Sequence, residues 1–147
     1  MKIVDIKVIR FRTTTRNHPT KWGYYYWGQE RPATASLTKI VTDDGLEGYN
    51  LGGDQATMDR VVKPLLLGEN PLDREKIWQW MSQHPGFSEG LAGLVDCGLW
   101  DLYGRMVGLP VHKCLGGYRD KVKAYASTWP NVEMKELGYK AYKVHAW

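Results

Sequence analysis

The stretch Leu94–Gly117, "LVDCGLWDLYGRMVGLPVHKCLGG", decides which fold this sequence can adopt. Its first half continues an amphipathic pattern that begins after Ser88, a residue type suited to cap the N-terminus of a helix. Gly108-Leu-Pro110 ends the pattern, because glycine and proline both interrupt helices. The spacing therefore predicts one long helix with a single apolar stripe, made of Leu91, Leu94, Val95, Leu99, Leu102 and Met106.

A sheet is predicted upstream of this helix. The segment "KIVDIKVIRF" alternates polar and apolar residues and reads as one strand. The segment "ASLTKIVTDDGLEGYNLG" reads as two strands joined by a turn at Asp44-Gly45. We therefore expect a three-stranded antiparallel meander, in which a long connection from about Thr13 to Ala33 separates the first two strands.

Two further helices are expected between the sheet and the long helix. Asp54 can cap a helix that runs to Leu67 and stops at Gly68, with Pro64 either kinking it or starting a new turn. The pair Asn70-Pro71 is suited to begin the next helix, which carries Ile77, Trp78 and Met81 at helical spacing.

The pattern changes after the long helix. The segments "VKAYAST", "NVEMKEL" and "YKAYKVHAW" read as strand, helix and strand, which is the signature of a parallel sheet. The boundary between an α+β domain and the beginning of an α/β domain is expected near residues 117–121.

Composition narrows the classes of function. The 147 residues are 43% hydrophobic and carry a formal charge of +4, with basic and acidic residues mixed, so we expect no nucleic acid partner. No apolar run approaches the roughly 20 residues of a membrane span, and the first residues do not resemble a signal peptide. Cys97 and Cys114 are interpreted as reduced thiols in the core, which favours a cytoplasmic protein.

The helix and its exit carry a family pattern, D-x-A-x-W-D-x-x-G-(K/R) followed by G-x-P-x-x-x-L-L-G-G. The matching residues are Asp96, Trp100, Asp101, Gly104, Arg105, Gly108, Pro110, Leu115, Gly116 and Gly117. In these residues the chain resembles the enolase superfamily, in its mandelate racemase and muconate-lactonizing branch. The segment "GYKAYKVHAW" resembles the second barrel strand of that family. The resemblance implies an N-terminal capping domain over residues 1–120 and the first two strands of an incomplete (β/α) barrel over residues 121–147.

The resemblance also implies a reaction, the removal of a proton next to a carboxylate, assisted by Mg²⁺. Alternation puts Lys143 and His145 on one face of their strand. Lys143 stands at the family's first lysine position, where it would supply positive charge to the substrate carboxylate. His145 replaces the family's second lysine and would be the catalytic base, since a histidine titrates near about 6.5 without strong tuning. The alternative is that His145 only forms hydrogen bonds while another residue acts as the base.

Candidate substrate-binding residues lie in two places. "KWGYYYWGQERPA" holds five aromatic residues between Trp22 and Trp27, and the resemblance makes this the loop that closes over the barrel, with Trp22 and Tyr24 contacting substrate. The alternative is that these rings pack at a subunit interface or on the barrel rim. Ser127 and Thr128 end the first barrel strand, which is the catalytic end of a barrel. Gly52-Gly53 would form a second loop approaching the site.

No metal ligand is assigned within the sequence. The family's three acidic ligands come from later barrel strands. Asp96 and Asp101 diverge by about 140° on one helix and are interpreted as structural, with Asp101 paired to Arg105 four residues on. The connection between the two barrel strands is about ten residues, which is short for a parallel crossover. Either its helix is shortened, or residues of the natural protein are absent from this sequence.

These observations favour part of a magnesium-dependent enzyme that dehydrates a sugar acid or another hydroxy acid. A racemase or epimerase of a carboxylate substrate is the alternative within the class. A non-catalytic sugar-binding or assembly module is the alternative from another class. The expected partners are a small carboxylate substrate and further copies of the chain, with neither a nucleic acid nor a membrane.

Overall fold

The computed structural model describes residues 1–19, 25–127 and 132–144. The chain divides into two compact units, each described here by itself. The first contains Met1–Thr13 and Thr34–Gly117, and the second contains Thr14–Ala33 and Tyr118–Trp147. The predicted division into a capping domain over 1–120 and a barrel segment over 121–147 stays a prediction.

A three-stranded sheet opens the fold, with strand order β1-β2-β3. Its strands are β1 (Ile3–Pro19), β2 (Tyr25–Thr42) and β3 (Glu47–Leu51). β2 and β3 pair antiparallel, in a register that runs from Leu37↔Leu51 to Val41↔Glu47. The turn between them contains Gly45 with φ +82°, which a glycine adopts without strain. The predicted antiparallel meander is confirmed.

The long connection predicted from Thr13 to Ala33 is wrong, because β1 continues to Pro19 and β2 already begins at Tyr25. Contacts between the two extensions support them: His18 Nε2 lies 2.7 Å from the carbonyl oxygen of Gln29, and Arg31 Nη2 donates to the carbonyl of Asn17 at 3.0 Å. Thr13, Thr14 and Thr15 are β-branched, and such residues favour extended backbone. The aromatic residues further along the chain instead favoured the prediction of a loop.

The helix predicted over residues 54–67 forms in three pieces. They are α1 (Gln55–Thr57), a π-helical segment (Met58–Val62) and α2 (Lys63–Leu66). The Asp54 side chain caps the start by accepting from the Thr57 amide at 2.9 Å. The Lys63 amide reaches back five residues to the Met58 carbonyl, just before Pro64, which has no amide proton to donate. Pro64 thus lies in the first turn of α2, in agreement with the prediction that it starts a new turn.

The predicted start of the next helix at Asn70-Pro71 is wrong, since α3 spans Arg74–Gln83 with Asp73 as its N-terminal flank. The Asn70 side chain instead accepts from the Leu72 amide at 3.1 Å, which closes a local turn that competes with helix.

The long helix, α4 (Glu89–Val107), begins and ends where the sequence indicated. The Ser88 hydroxyl accepts from the Leu91 amide at 3.2 Å, and Gly108 terminates the helix with φ 69°. The short helix α5 (Val111–Cys114) follows. The predicted stripe is only partly right: Met106 is 39% exposed, and Leu91 and Leu94 are half-buried. The residues of α4 that enter the core are Ala92, Val95, Leu99 and Leu102. The prediction that both cysteines lie in the core is wrong, because Cys97 is exposed and Cys114 is half-buried.

The core of the first unit lies between the sheet and the helices. Ile3, Ile6 and Ile40 supply the sheet side, and Met58, Val62, Leu66, Ile77, Met81, Ala92, Val95, Leu99 and Leu102 supply the helical side. Among the described residues, no helix is long and apolar enough to cross a membrane.

The second unit contains less regular structure than predicted. Neither "VKAYAST" nor "YKAYKVHAW" forms a full strand within the described residues, and their pairing is a single parallel bridge, Ala126↔Tyr142. Strands of a parallel sheet depend on neighbours at both edges and on helices that cover both faces. Between the two segments lies α6 (Val132–Glu136).

Candidate active site

The bridge between Ala126 and Tyr142 fixes the register of the candidate site. The Ala126 amide donates to the Ala141 carbonyl at 3.0 Å, and the Lys143 amide donates to the Ala126 carbonyl at 2.9 Å. These two bonds flank Tyr142 and define a parallel alignment. Lys143 therefore stands beside Ser127 in the neighbouring segment.

The two faces of this pair differ in burial. Ala126 is 7% exposed and Tyr142 is half-buried, so the face they share is the covered one. Because side chains alternate, Ser127 and Lys143 belong to the opposite face, and both are exposed. A hydroxyl and an ammonium group on one face can together bind an anionic oxygen atom.

The turn after α6 leads into the segment that pairs with Ala126. The Gly138 amide donates to the Lys135 carbonyl at 2.9 Å, and the Tyr139 amide donates to the Met134 carbonyl at 3.2 Å. Gly138 has φ 85°, so the helix ends in a Schellman motif that only glycine forms easily. The described part of the connection is therefore a five-residue helix with a tight exit.

Four of the six predicted site residues lie outside the described residues: Trp22, Tyr24, Thr128 and His145. The closeness of His145 to Lys143, and of Trp22 and Tyr24 to either, therefore stays a prediction. The catalytic role of Lys143 and the substrate contact of Ser127 are also still predictions.

The Gly52-Gly53 loop is held rigidly within the first unit. The Thr38 hydroxyl donates to the Gly52 carbonyl at 2.8 Å, and the Ser36 hydroxyl donates to the Gly53 carbonyl at 2.9 Å. Both glycines have positive φ, and a Cβ on Gly53 would lie 2.3 Å from the Thr38 hydroxyl oxygen. The position of this loop relative to the site stays a prediction.

No magnesium site can be built from the described residues, because they bring no three His, Cys, Asp or Glu side chains together. Asp101 serves the fold instead: one of its oxygens accepts from the Tyr49 amide at 2.9 Å and from Arg105 Nε at 2.7 Å. The predicted pairing of Asp101 with Arg105 is confirmed. Burial raises the pKa of Asp96, and the nearby Arg74 charge offsets part of that rise.

The polar residues that join β1 to the helices were not predicted from the sequence. The Gln55 side chain accepts from the Val8 amide at 2.7 Å, and Lys63 Nζ lies 3.0 Å from Asp5 and 2.8 Å from Asp59. The Lys63–Asp59 pair is four residues apart on one helix, so its spacing is visible in the sequence. The contacts of Gln55 with Val8 and of Lys63 with Asp5 span long stretches of chain and leave no such local signal.

Residues 5–116 match the family described as mandelate racemase / muconate lactonizing enzyme, N-terminal domain. The chain belongs to this family. The match covers the sheet and α1 to α5 of the structure. Together with the solved structures below, it confirms the predicted family and the predicted fold class.

Curated relatives of this family include sugar-acid dehydratases. The chain is 31% identical over 132 residues to D-xylonate dehydratase of Haloferax volcanii, a match covering 73% of this chain and 32% of the relative. It is 34% identical over 122 residues to arabinonate dehydratase of Saccharolobus solfataricus, covering 74% of this chain and 32% of the relative. The chain thus spans about a third of the length of the curated relatives it matches.

Solved structures of the family superpose well. D-glucarate dehydratase from Agrobacterium tumefaciens, complexed with magnesium, matches with a TM-score of 0.77 and 38% identity, covering 86% of this chain and 35% of that one. The L-Ala-D/L-Glu epimerase of Bacillus subtilis matches with a TM-score of 0.73 and 23% identity, covering 97% of this chain and 44% of that one. At that identity the epimerase shows the fold alone.

Proposed function

We propose that residues 1–147 are the N-terminal part of a magnesium-dependent sugar-acid dehydratase, in which residues 1–120 cap the barrel and residues 121–147 begin it. The observation that carries the proposal is the register of the Ala126–Tyr142 bridge, which aligns Lys143 with Ser127 on an exposed face. Relatives named as dehydratases of D-xylonate, arabinonate and D-glucarate, at 31–38% identity, support the reaction class.

In this proposal Lys143 supplies positive charge to the substrate carboxylate. Proton removal next to a carboxylate builds negative charge on its oxygens, and a fixed ammonium group stabilises that charge in the transition state. The Ser127 hydroxyl, next to it in the register, donates a hydrogen bond to the same oxygens. His145, two residues further along the sequence, takes the proton.

Substrate selection is assigned to two aromatic residues that precede β2, Trp22 and Tyr24. Trp22 and Tyr24 would pack on the C–H faces of a polyhydroxylated chain, and the Tyr24 hydroxyl would bond to its oxygens. Thr128 would extend the polar end of the first barrel strand. Loss of the β-hydroxyl group of such a substrate completes a dehydration.

Magnesium would be held by acidic residues on later barrel strands, as the resemblance to the family implies. When bound, the metal stabilises the negative charge that develops on the substrate carboxylate. A cytoplasmic location and assembly into a homo-oligomer belong to the same proposal.

The test uses the longest polypeptide expressed from a gene that carries this sequence. It is incubated with Mg²⁺ and a library of acid sugars in deuterated water, while loss of water and deuterium uptake at the α-carbon are both followed. Dehydration of a sugar acid supports the proposal. Exchange with inversion but without dehydration would favour a racemase or epimerase, and neither reaction across the library would contradict the proposal.

Matched variants assign the roles. Lys143→Met and His145→Gln should each reduce kcat by about 100-fold or more, as expected for removing charge stabilisation or an acid–base group. Lys140→Met is the control, because Lys140 is exposed and, by alternation, belongs to the other face of the same segment. Unchanged kcat in Lys143→Met would remove Lys143 from the reaction.

A further inference from the structure

A cavity of about 430 Å³ opens between the C-terminal half of α3 and the start of α4. Its walls include two aromatic rings, a thioether, two hydroxyl groups and a carboxylate, from Trp78, Phe87, Met81, Ser82, Ser88 and Glu89. Small-molecule sites in proteins typically have volumes of about 300–1,000 Å³ and mostly apolar walls with a few polar groups. The cavity therefore has the size and the lining of a small-molecule site.

Both aromatic walls are positioned by the fold. The Gly86 amide donates to His84 Nδ1 at 3.0 Å, and the Phe87 amide donates to the His84 carbonyl at 3.0 Å. The rings of His84 and Phe87 meet edge to face, with their centroids 5.6 Å apart. Trp78 lies on the regular helix α3 and is 41% exposed, although a large aromatic side chain normally buries more of its surface. The Trp78 ring thus keeps surface that a ligand can cover.

Trp78 differs from two other tryptophans of the same helices. Arg74 Cζ lies 3.3 Å from the centroid of the Trp100 ring, and Lys76 Nζ lies 4.8 Å from that of Trp80. Within the described part of the chain, no lysine or arginine lies over the Trp78 ring. The face of an aromatic ring attracts cations, so Trp78 can take one from a ligand.

Glu89 adds a negative charge to the cavity. Its carboxylate is exposed, and none of the residues that the structure describes forms a hydrogen bond or an ion pair with it. Glu89 begins α4, and the N-terminus of a helix carries a partial positive charge of about half a unit. The full charge of the carboxylate outweighs that partial charge. The cavity is therefore suited to a positively charged ligand.

The hydroxyl groups limit which cation fits. The Ser82 hydroxyl donates to the Trp78 carbonyl at 2.7 Å, and the Ser88 oxygen accepts from the Leu91 amide at 3.2 Å. A primary ammonium group has three N–H donors to satisfy, and the cavity has few acceptors besides Glu89. A trimethylammonium group has no N–H donor, and its methyl groups pack on aromatic rings.

We propose that this cavity binds a small trimethylammonium compound. The methyl groups pack against Trp78, Phe87 and the Met81 thioether, while the charge faces Glu89. The Ser88 hydroxyl still has its own proton to donate, because its bond with the Leu91 amide uses only its oxygen. An oxygen atom on the tail of the ligand accepts that proton. Choline is the simplest compound with this chemistry.

The test measures choline binding to the same polypeptide as above, without any sugar acid, so that its outcome is independent of the proposed function. Saturation-transfer difference NMR gives the dissociation constant, which is expected in the millimolar range. Neohexyl alcohol has the shape of choline with a carbon atom in place of the charged nitrogen, and should bind about fivefold more weakly or worse. Equal binding of the two compounds would overturn the proposal.

Variants of the cavity wall locate the binding. Trp78→Leu and Phe87→Leu each remove a ring, and each should raise the dissociation constant of choline by about fivefold. Glu89→Gln keeps the size of the side chain but removes its charge, and should raise the constant by about threefold. Circular dichroism checks the fold of the two ring variants. Because Glu89 is exposed, E89Q keeps the test valid even where a ring variant does not fold.

Glu75→Gln is the matched control, because Glu75 is an exposed carboxylate one turn before Trp78 that does not line the cavity. It should leave the dissociation constant of choline unchanged. Equal weakening in E75Q and E89Q would mean that a diffuse negative field attracts choline, and would overturn the proposal. So would unchanged binding in both W78L and E89Q, or a wild-type protein that does not bind choline at millimolar concentrations.

Discussion

Gly48 of β3 lies directly against Gly98 of α4, so closely that a Cβ built on Gly48 would be 2.4 Å from the Gly98 carbonyl oxygen. The same Cβ would be 2.6 Å from the Cβ of Leu102. Two glycines therefore set the distance at which the long helix packs on the sheet. The space at Gly98 is also limited, since a Cβ there would lie 3.0 Å from the Ile40 side chain.

Gly48→Ala is expected to destabilise the fold by about 1–3 kcal/mol, because backbone and core atoms must move to admit the methyl group. Gly93→Ala is the matched control on α4, where an added Cβ meets no heavy atom within 4 Å. It should stabilise by about 0.5–1 kcal/mol, the usual gain when alanine replaces glycine inside a helix. Urea unfolding of both variants measures the two changes, and a stable G48A protein would contradict the close packing.

Asp101→Ala should cost more than removal of its ion-pair partner. The substitution leaves the Tyr49 amide without its acceptor and is expected to cost about 1–3 kcal/mol. Arg105→Gln removes an exposed ion pair and the contact of the guanidinium with the Tyr49 ring, and should cost about 1 kcal/mol. The free energies of unfolding of the two variants test whether Asp101→Ala costs more than Arg105→Gln. Equal losses would mean that the Asp101–Tyr49 bond contributes little.

The parts of the fold with local signals could be predicted from the sequence. Ser88 and Gly108 fix both ends of α4, because a hydroxyl cap and a left-handed glycine act within a few residues of themselves. The start of α3 was missed since Asn70, a good cap in isolation, bonds to the Leu72 amide in a turn instead. Two local motifs compete there, and the sequence does not say which is more stable.

Features that depend on distant residues could not be predicted. β1 and β2 extend beyond their alternating segments because each supports the other, as the bond from Arg31 to Asn17 illustrates. At the candidate site, alternation puts Lys143 on a strand face, but its alignment with Ser127 follows from hydrogen bonds between segments separated by α6. Register is a property of the pair of segments and not of either one alone.

Gln55 covers backbone groups of β1, an outer strand of the sheet, and its loss should expose them. Its side chain accepts from the Val8 amide at 2.7 Å and donates to the Ile6 carbonyl at 3.4 Å. Gln55→Ala is expected to destabilise by about 1–3 kcal/mol and to speed hydrogen exchange of the Val8 amide. Gln83→Ala, an exposed change near the end of α3, is the control. Unchanged exchange at Val8 would show that water replaces Gln55 without cost.

Replacing Asp96 by asparagine and replacing Asp54 by asparagine should change the stability of the fold in opposite directions. Burial raises the pKa of Asp96 above its ordinary value of 3.8, whereas the Thr57 hydrogen bond lowers the pKa of Asp54 below it. An acid with a raised pKa binds its proton more tightly in the folded state, so its contribution to stability falls as pH rises from the unfolded to the folded pKa. The ionised Asp96 therefore destabilises the fold at neutral pH.

Asp96→Asn should be more stable than the wild type at pH 7. The difference should shrink as pH falls through the folded pKa, and disappear below the ordinary value near 3.8. Asp54→Asn should be less stable at pH 7, with its deficit shrinking as pH falls through the lowered pKa of Asp54. Urea unfolding between pH 3 and pH 7, with each variant subtracted from the wild type, cancels the titration of the other carboxyl groups. A loss of stability in D96N at pH 7 would mean that its charge, held near Arg74, stabilises the fold.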